Sequence, residues 1–170
     1  ITRFDMYIWK SVCKTLAAWQ DKGCKLVPIS INVSMIDITN IDVPQYLSML
    51  TEQYHISPEY LPVEITESVF AESNTIVKNT ITRFHKKGFY VLMDDFGSGY
   101  SSLNVLKDAN VDYLKLDMKF MQIDAKNKGK GIQILKSIVD MAYRLGLVII
   151  AEGVETKEQS EILKSMNCNY

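Results

Sequence analysis

Six side chains in this 170-residue sequence are placed to do chemistry: Asn32, Glu64, the adjacent pair Asp94-Asp95, Lys115 and Glu152. Each lies at or near the C-terminal end of a short apolar run. Asp94-Asp95 closes the run Phe89–Met93 and opens the turn Phe96-Gly97-Ser98-Gly99-Tyr100-Ser101-Ser102. Two carboxylates at the end of a buried strand are costly unless their charge is compensated. One compensation is a hard divalent cation, which takes carboxylate oxygens. The alternative is a helix N-cap acid beside a solvated one. The oxygen donors Asn32, Glu64, Asp94, Asp95 and Glu152 come with no Cys, and neither His55 nor His85 lies at a strand end. That composition points to Mg²⁺ or Mn²⁺ rather than structural zinc. Several carboxylates around one mouth hold two cations if an oxygen of Asp94 or Asp95 bridges them, and two cations suit in-line attack of water on a phosphodiester. Lys115 then either orients and polarises the water or neutralises surplus carboxylate charge.

The hydrophobic pattern supplies elements to position these groups. Phe4, Ile8, Val12, Leu16 and Trp19 recur at helical spacing, with Gly23 as the stop, and the aromatics of this helix are assigned to the core. Leu26–Val33 reads as a buried strand ending in Asn32-Val33-Ser34. Pro44–Tyr54 reads as a helix with Tyr46, Leu47 and Leu50 on its apolar face. Leu61–Ile65 is a strand, and Asn74–Lys87 a helix capped by Asn74, striped by Ile76/Val77–Ile81–Phe84 and ended by Gly88. The strand Phe89–Met93, a short helix Leu103–Lys107 and the strand Val111–Leu116 follow. Ile132–Leu145 is a helix with Ile134, Leu135, Ile138, Val139 and Ala142 on one side, stopped by Gly146. Leu147–Ile150 is a strand, and Thr156–Met166 a helix opened by a Thr156/Gln159 capping box. Asn167–Tyr170 reads as the start of one more strand. Strands apolar on both faces that alternate with helices predict an α/β fold with a parallel sheet under helices. No Gly-x-Gly-x-x-Gly follows the first strand, which removes support for a dinucleotide-binding sheet. In a β/α barrel the strand C-termini converge on one mouth, and that is where the candidate residues fall.

Composition narrows the partners. The formal charge is −1 and the basic residues are scattered, so no stripe points to a nucleic-acid polymer. The Lys126–Lys130 cluster is short and broken by Gly129, and reads as a solvated loop. Three cysteines, Cys13, Cys24 and Cys168, are an odd number without metal-type spacing and read as free thiols in a reducing cytoplasm. The longest purely apolar run, Leu147–Ala151, is far too short to span a bilayer, so no membrane contact is expected from this segment. A start without Met reads as a piece of something longer.

Five ordered segments resemble those of the EAL domain, a bacterial phosphodiesterase domain that opens cyclic di-GMP to linear pGpG. They are Asn32-Val33-Ser34, Glu64-Ile65-Thr66-Glu67-Ser68, Asp94-Asp95-Phe96-Gly97-Ser98-Gly99-Tyr100-Ser101-Ser102-Leu103, Lys115-Leu116-Asp117 and Ala151-Glu152-Gly153-Val154-Glu155-Thr156. The resemblance covers essentially all of residues 1–170, taken as one partial domain. It implies a TIM-like (β/α) barrel of the EAL type, incomplete at both ends in this chain. It implies that Asn32, Glu64, Asp94, Asp95 and Glu152 bind metal, with Asp94 as the bridge, and that Lys115 assists the nucleophilic water. Asp94, Lys115 and Glu152 are then the catalytic set. Glu67 matches a glutamate that anchors the loop after the acid pair, and Asp117 and Glu155 match acidic residues near the site. The loop Phe96–Ser102 is linked in the family to metal, substrate and dimer contacts. The implied cofactors are two Mg²⁺ or Mn²⁺ ions, and the implied partners are cyclic di-GMP, a second copy of the chain, and a GGDEF or sensor domain fused in the parent. A cytoplasmic location follows, as the cytoplasmic part of a membrane-anchored parent or otherwise. Two departures stand out. No Glu-Ala-Leu occurs here, so the glutamate that names the family is expected upstream of Ile1, and the family's late Gln is expected beyond Tyr170. A receptor that holds cyclic di-GMP without hydrolysis, and a dimerisation or scaffold domain, are the alternatives.

Overall fold

The computed structural model describes residues 1–71, 75–97, 106–107, 109–117 and 128–168. Its centre is a five-stranded sheet in sequential order, with every neighbouring pair parallel. The strands are β1 (Ile31–Asn32), β2 (Val63–Thr66), β3 (Val91–Phe96), β4 (Tyr113–Asp117) and β5 (Val148–Glu152). The helices are α1 (Thr2–Asp21), α2 (Met35–Asn40), α3 (Val43–Tyr54), α4 (Glu67–Ala71), α5 (Thr75–Lys86), α6 (Lys128–Arg144) and α7 (Lys157–Ser165), with a 3-10 turn at Pro58–Tyr60. A parallel sheet whose strand order repeats the chain order, with helices between strands, is a run of β/α units of the barrel type.

Period-two alternation divides each strand between two tasks. Val63 and Ile65, Val91 and Met93, and Leu114 and Leu116 are buried on the side that meets the helices. There they join Leu16, Leu47, Leu50, Phe84, Leu135 and Val139 in one core. Full burial of each such side chain stabilises the fold by about 1.5–3 kcal/mol. The alternate positions, Glu64, Leu92, Tyr113, Lys115, Val148 and Ile150, lie on the opposite face. Tyr113, Leu92, Val148 and Ile150 line a concave surface there together with Pro28, Ser30 and Tyr90.

Several elements differ from the sequence reading for identifiable reasons. The first strand is two residues long, not Leu26–Val33, although Ile29, Ile31 and Val33 each donate an N–H to the carbonyls of Tyr60, Pro62 and Glu64. Pro28 has no N–H to give, and among the described residues β1 pairs with β2 alone. In α1 the buried stripe is Trp9, Cys13 and Leu16, while Phe4 is 66% exposed and Ile8 is also exposed. The assignment of every α1 aromatic to the core is therefore corrected. Both stripes have helical spacing, and contact decides between them: the Trp9 indole donates to the Asn32 carbonyl at 3.0 Å and its ring packs 6.0 Å from Tyr46. Ile76 and Ile134 face solvent for the same kind of reason, beside buried Val77 and Leu135. Two short helices were not anticipated. α2 opens on a Ser34/Asp37 capping box, and α4 begins on the residue after β2. The capping box of Thr156 and Gln159 opens α7 as the sequence indicates. Asn74, Ser98–Leu103, most of the Leu103–Lys107 helix and Asn169-Tyr170 lie outside the described residues.

Candidate active site

The acid pair does not sit past the end of its strand but inside it. Between β3 and β4 the register runs Met93↔Leu114 and then Phe96↔Leu116, so Asp94 and Asp95 together stand opposite Lys115. Two residues facing one is a β-bulge. Asp95 carries φ 56°, a left-handed conformation that Asp tolerates better than most L-residues. The bulge solves a parity problem. In a regular strand adjacent side chains point to opposite faces, so one acid would enter the apolar helix-facing layer. Here Asp94 is half-buried, Asp95 is exposed, and Phe96 returns to the core. The Asp95 N–H donates to Asp94 Oδ1 at 2.9 Å.

Lys115 reaches across the concave face from β4. Its Nζ lies 2.9 Å from Glu64 Oε1, 3.2 Å from Asp94 Oδ1 and 2.7 Å from Glu152 Oε1. Lys115 is 6% exposed and Glu64 7%. Burial works to lower the lysine pKa, but the bonds to Glu152 and Glu64 and the charges of Glu64 and Asp94 outweigh it. The ammonium is held above the ordinary lysine range. Three elements, β2, β3 and β5, thus each bring one carboxylate to a fourth. The hydroxyl of Ser30 donates to the same Glu64 Oε1. Ser30 was not anticipated as a site residue; its position two residues before Asn32, on the same face of the segment, was the available signal.

The other candidate residues are placed as follows. Asn32 is paired in register with Glu64, and its side chain is exposed. Glu67 is 1% exposed, and its Oε2 accepts the Gly97 N–H at 3.0 Å, which links the start of α4 to the residue after β3. Asp117, at the end of β4, is in register with Glu152. The Glu155 side chain is exposed and its N–H donates to Gln159 Oε1 at 2.8 Å. Phe96 ends β3 and Gly97 follows with φ 100°; Ser98 to Ser102 are not among the described residues. Among the described residues no three acidic, histidine or cysteine side chains stand close enough to hold one metal ion. Glu64, Asp94 and Glu152 are instead arranged around an ammonium. As chemistry the donor set fits a hard cation, since three carboxylate oxygens already share one positive charge.

The whole chain, residues 1–170, matches the EAL domain family. The chain belongs to the EAL domain family. Its relatives include the probable cyclic di-GMP phosphodiesterase PdeB of Escherichia coli K12, 36% identical over 84% of this chain and 26% of PdeB. Among solved structures, the EAL domain of Mycobacterium smegmatis DcpA is 28% identical with a TM-score of 0.87, covering 98% of this chain and 75% of that one. Klebsiella pneumoniae BlrP1, in a complex with manganese and cyclic di-GMP, is 25% identical with a TM-score of 0.82 over 97% of this chain and 41% of BlrP1. The EAL chain described here spans about a fifth to a quarter of the length of the first curated relatives it matches. Its α/β fold with a parallel sheet is that of EAL TIM-barrel domains. Among the described residues no helix is long and apolar enough to cross a membrane.

Proposed function

We propose that residues 1–170 form the central part of one phosphodiesterase domain that hydrolyses cyclic di-GMP to linear pGpG. The observation that carries this reading is the convergence of Glu64, Asp94 and Glu152 on Lys115 at the C-terminal ends of successive parallel strands, beside the Asp94-Asp95 bulge. Asn32, Glu64, Asp94, Asp95 and Glu152 would hold Mg²⁺ or Mn²⁺, two ions per site. The bound ions supply Lewis acidity and a water of lowered pKa. Lys115 orients that water and offsets carboxylate charge. Glu67 fixes Gly97, the residue that follows β3. Asp117 and Glu155 would support the ligand set from beside it. Attack of water on one phosphorus breaks one P–O3′ bond, leaving a 5′-phosphate and a 3′-hydroxyl. The reaction belongs to a domain completed by further strands in a cytoplasmic parent, with a second copy of the chain as partner.

A receptor that binds cyclic di-GMP without opening it is the second reading. It shares the same converging groups, with Lys115 paired to the acids. One assay separates the two. Full-length parent is incubated with cyclic di-GMP and Mg²⁺ or Mn²⁺, and pGpG is measured. Hydrolysis is expected, with Asp94→Ala and Lys115→Ala each reducing kcat by about a hundredfold or more, the scale of losing one preorganised charge partner. Tight cyclic di-GMP binding with no pGpG, at confirmed metal occupancy, selects the receptor.

A further inference from the structure

We propose that Trp9 is a positioning residue for the site: its indole N–H fixes the peptide that follows Asn32, and so the direction in which Asn32 presents its side chain beside Glu64. This inference rests on the reading above that Asn32 belongs to the reacting site. The support is in how the end of β1 is held. Ile31 and Val33 donate their N–H groups to the Pro62 and Glu64 carbonyls. Alternate residues of a parallel strand bond to opposite sides, so the Asn32 carbonyl points away from β2. Among the described residues no strand lies on that side. The Trp9 indole takes the place of a strand there, donating to the Asn32 carbonyl at 3.0 Å. One peptide unit is thus gripped at both ends, its N–H by the Glu64 carbonyl at 2.9 Å and its C=O by Trp9.

The grip is stiff because Trp9 is itself held. The residue is 1% exposed, its ring packs 6.0 Å from that of Tyr46, and it stands one turn from buried Cys13 in α1. A buried indole N–H needs an acceptor, and the Asn32 carbonyl is the one it finds. With Ile31 paired to β2 on the other side of Asn32, fixing this peptide plane fixes the direction of the Asn32 Cα–Cβ bond. Asn32 is in register with Glu64, so the two side chains leave the same face of the sheet. β1 has only two residues, and Ser34 already caps α2. A core tryptophan therefore ties the helical layer to a candidate site residue, which its place in an apolar stripe does not by itself require.

The test uses the full-length parent. Trp9→Phe keeps a ring in the core and removes the donor. In EDTA and without substrate, hydrogen exchange should show the Val33 amide opening about tenfold faster in Trp9→Phe than in wild type, with the amides of β3 and β4 unchanged. With cyclic di-GMP and Mg²⁺, kcat should fall about tenfold, the scale of a small misplacement of a reacting group. Cys13→Ala is the packing control. It should lower the urea midpoint by about 0.5 M, as much as Trp9→Phe does, yet it keeps the indole bond and should leave kcat unchanged. In Asn32→Ala, assayed with enzyme in excess, adding Trp9→Phe should slow the reaction by less than about twofold, because Trp9 acts through Asn32. Four results each overturn the inference and leave hydrolysis by the domain standing: uniform loosening of the sheet amides, an unchanged kcat for folded Trp9→Phe, an Asn32→Ala variant as active as wild type, or an undiminished Trp9→Phe loss on top of Asn32→Ala. Wild type that yields no pGpG overturns the phosphodiesterase reading, and this inference with it.

Discussion

Asp95 offers the most direct test of how the acid pair is built. Its φ of 56° is a conformation that costs an L-residue about 1–2 kcal/mol relative to glycine. Glycine gives back about 0.5–1 kcal/mol through its greater freedom in the unfolded chain. Asp95→Gly should therefore stabilise the fold by up to roughly 1.5 kcal/mol, and relief of repulsion against Asp94 works in the same direction. With a urea m-value of about 2 kcal/mol/M, that is a rise of up to about 0.75 M in the midpoint. Asp95→Asn should stay close to wild type, because Asn also tolerates this region. Asp95→Val puts a β-branched side chain at positive φ and should lower the midpoint by about 0.5 M or more. The assay is equilibrium urea unfolding of the four proteins in EDTA, followed by tryptophan fluorescence and circular dichroism. Hydrolysis should move the opposite way in Asp95→Gly, lost along with the carboxylate, as expected where a functional site carries strain. A glycine variant less stable than wild type, or a valine variant equal to it, would refute the bulge argument.

Two further expectations concern the supports of the site. Glu67→Ala removes a buried carboxylate that accepts the Gly97 N–H, and should cost about 2 kcal/mol in urea unfolding, with Glu67→Gln recovering more than half of it because it keeps an acceptor; equal losses would show that the bond does not hold Gly97. At the start of α1, burial and then the neighbouring Asp37 raise the Asp5 pKa above its ordinary 3.8. The folded state thus favours protonated Asp5, so its contribution to stability is full below the ordinary value and is lost as pH rises through the folded one. Asp5→Asn should therefore raise stability at pH 7, and the gain should shrink toward zero at acid pH; a gain that does not vary with pH would contradict the pairing with Asp37.

Much of the site was legible because each group interrupts an apolar run. Glu64, Lys115 and Glu152 are ionisable residues at positions where the flanking Val63, Ile65, Leu114, Leu116 and Ile150 demand a strand, and burying such residues needs a partner. The sheet was legible for the complementary reason, since runs apolar on both faces fit a parallel sheet under helices. Less of the helical layer was. α1 carries two apolar stripes at helical spacing, and nothing within the helix itself ranks Trp9–Cys13–Leu16 above Phe4–Ile8. The choice is made by residues far away in sequence, the Asn32 carbonyl and the Tyr46 ring. Burial then raises the Cys13 thiol pKa to about 11, which makes it a core group rather than a reactive one. The short helices α2 and α4 escaped because each starts where a strand ends, with too few residues to show a period. Ser34 and Asp37 did carry a capping signal three residues apart.

The bulge is the feature that sequence adjacency both hides and requires. Asp94 and Asp95 read as a pair because they are neighbours, yet neighbours in a regular strand are sent to opposite faces. A regular β3 would place Asp95 among Val63, Ile65, Met93 and Leu114, at a cost of several kcal/mol for a buried, unpaired carboxylate. It would also turn Phe96 out of the core, forfeiting about 1.5–3 kcal/mol of burial. One extra residue opposite Lys115 removes both penalties and costs only the left-handed backbone of Asp95. The balance is lopsided enough that the core, acting through Phe96, holds the acid pair in register with the lysine. The site is therefore not an addition to the sheet edge. It is fixed by the same alternation that packs the strand.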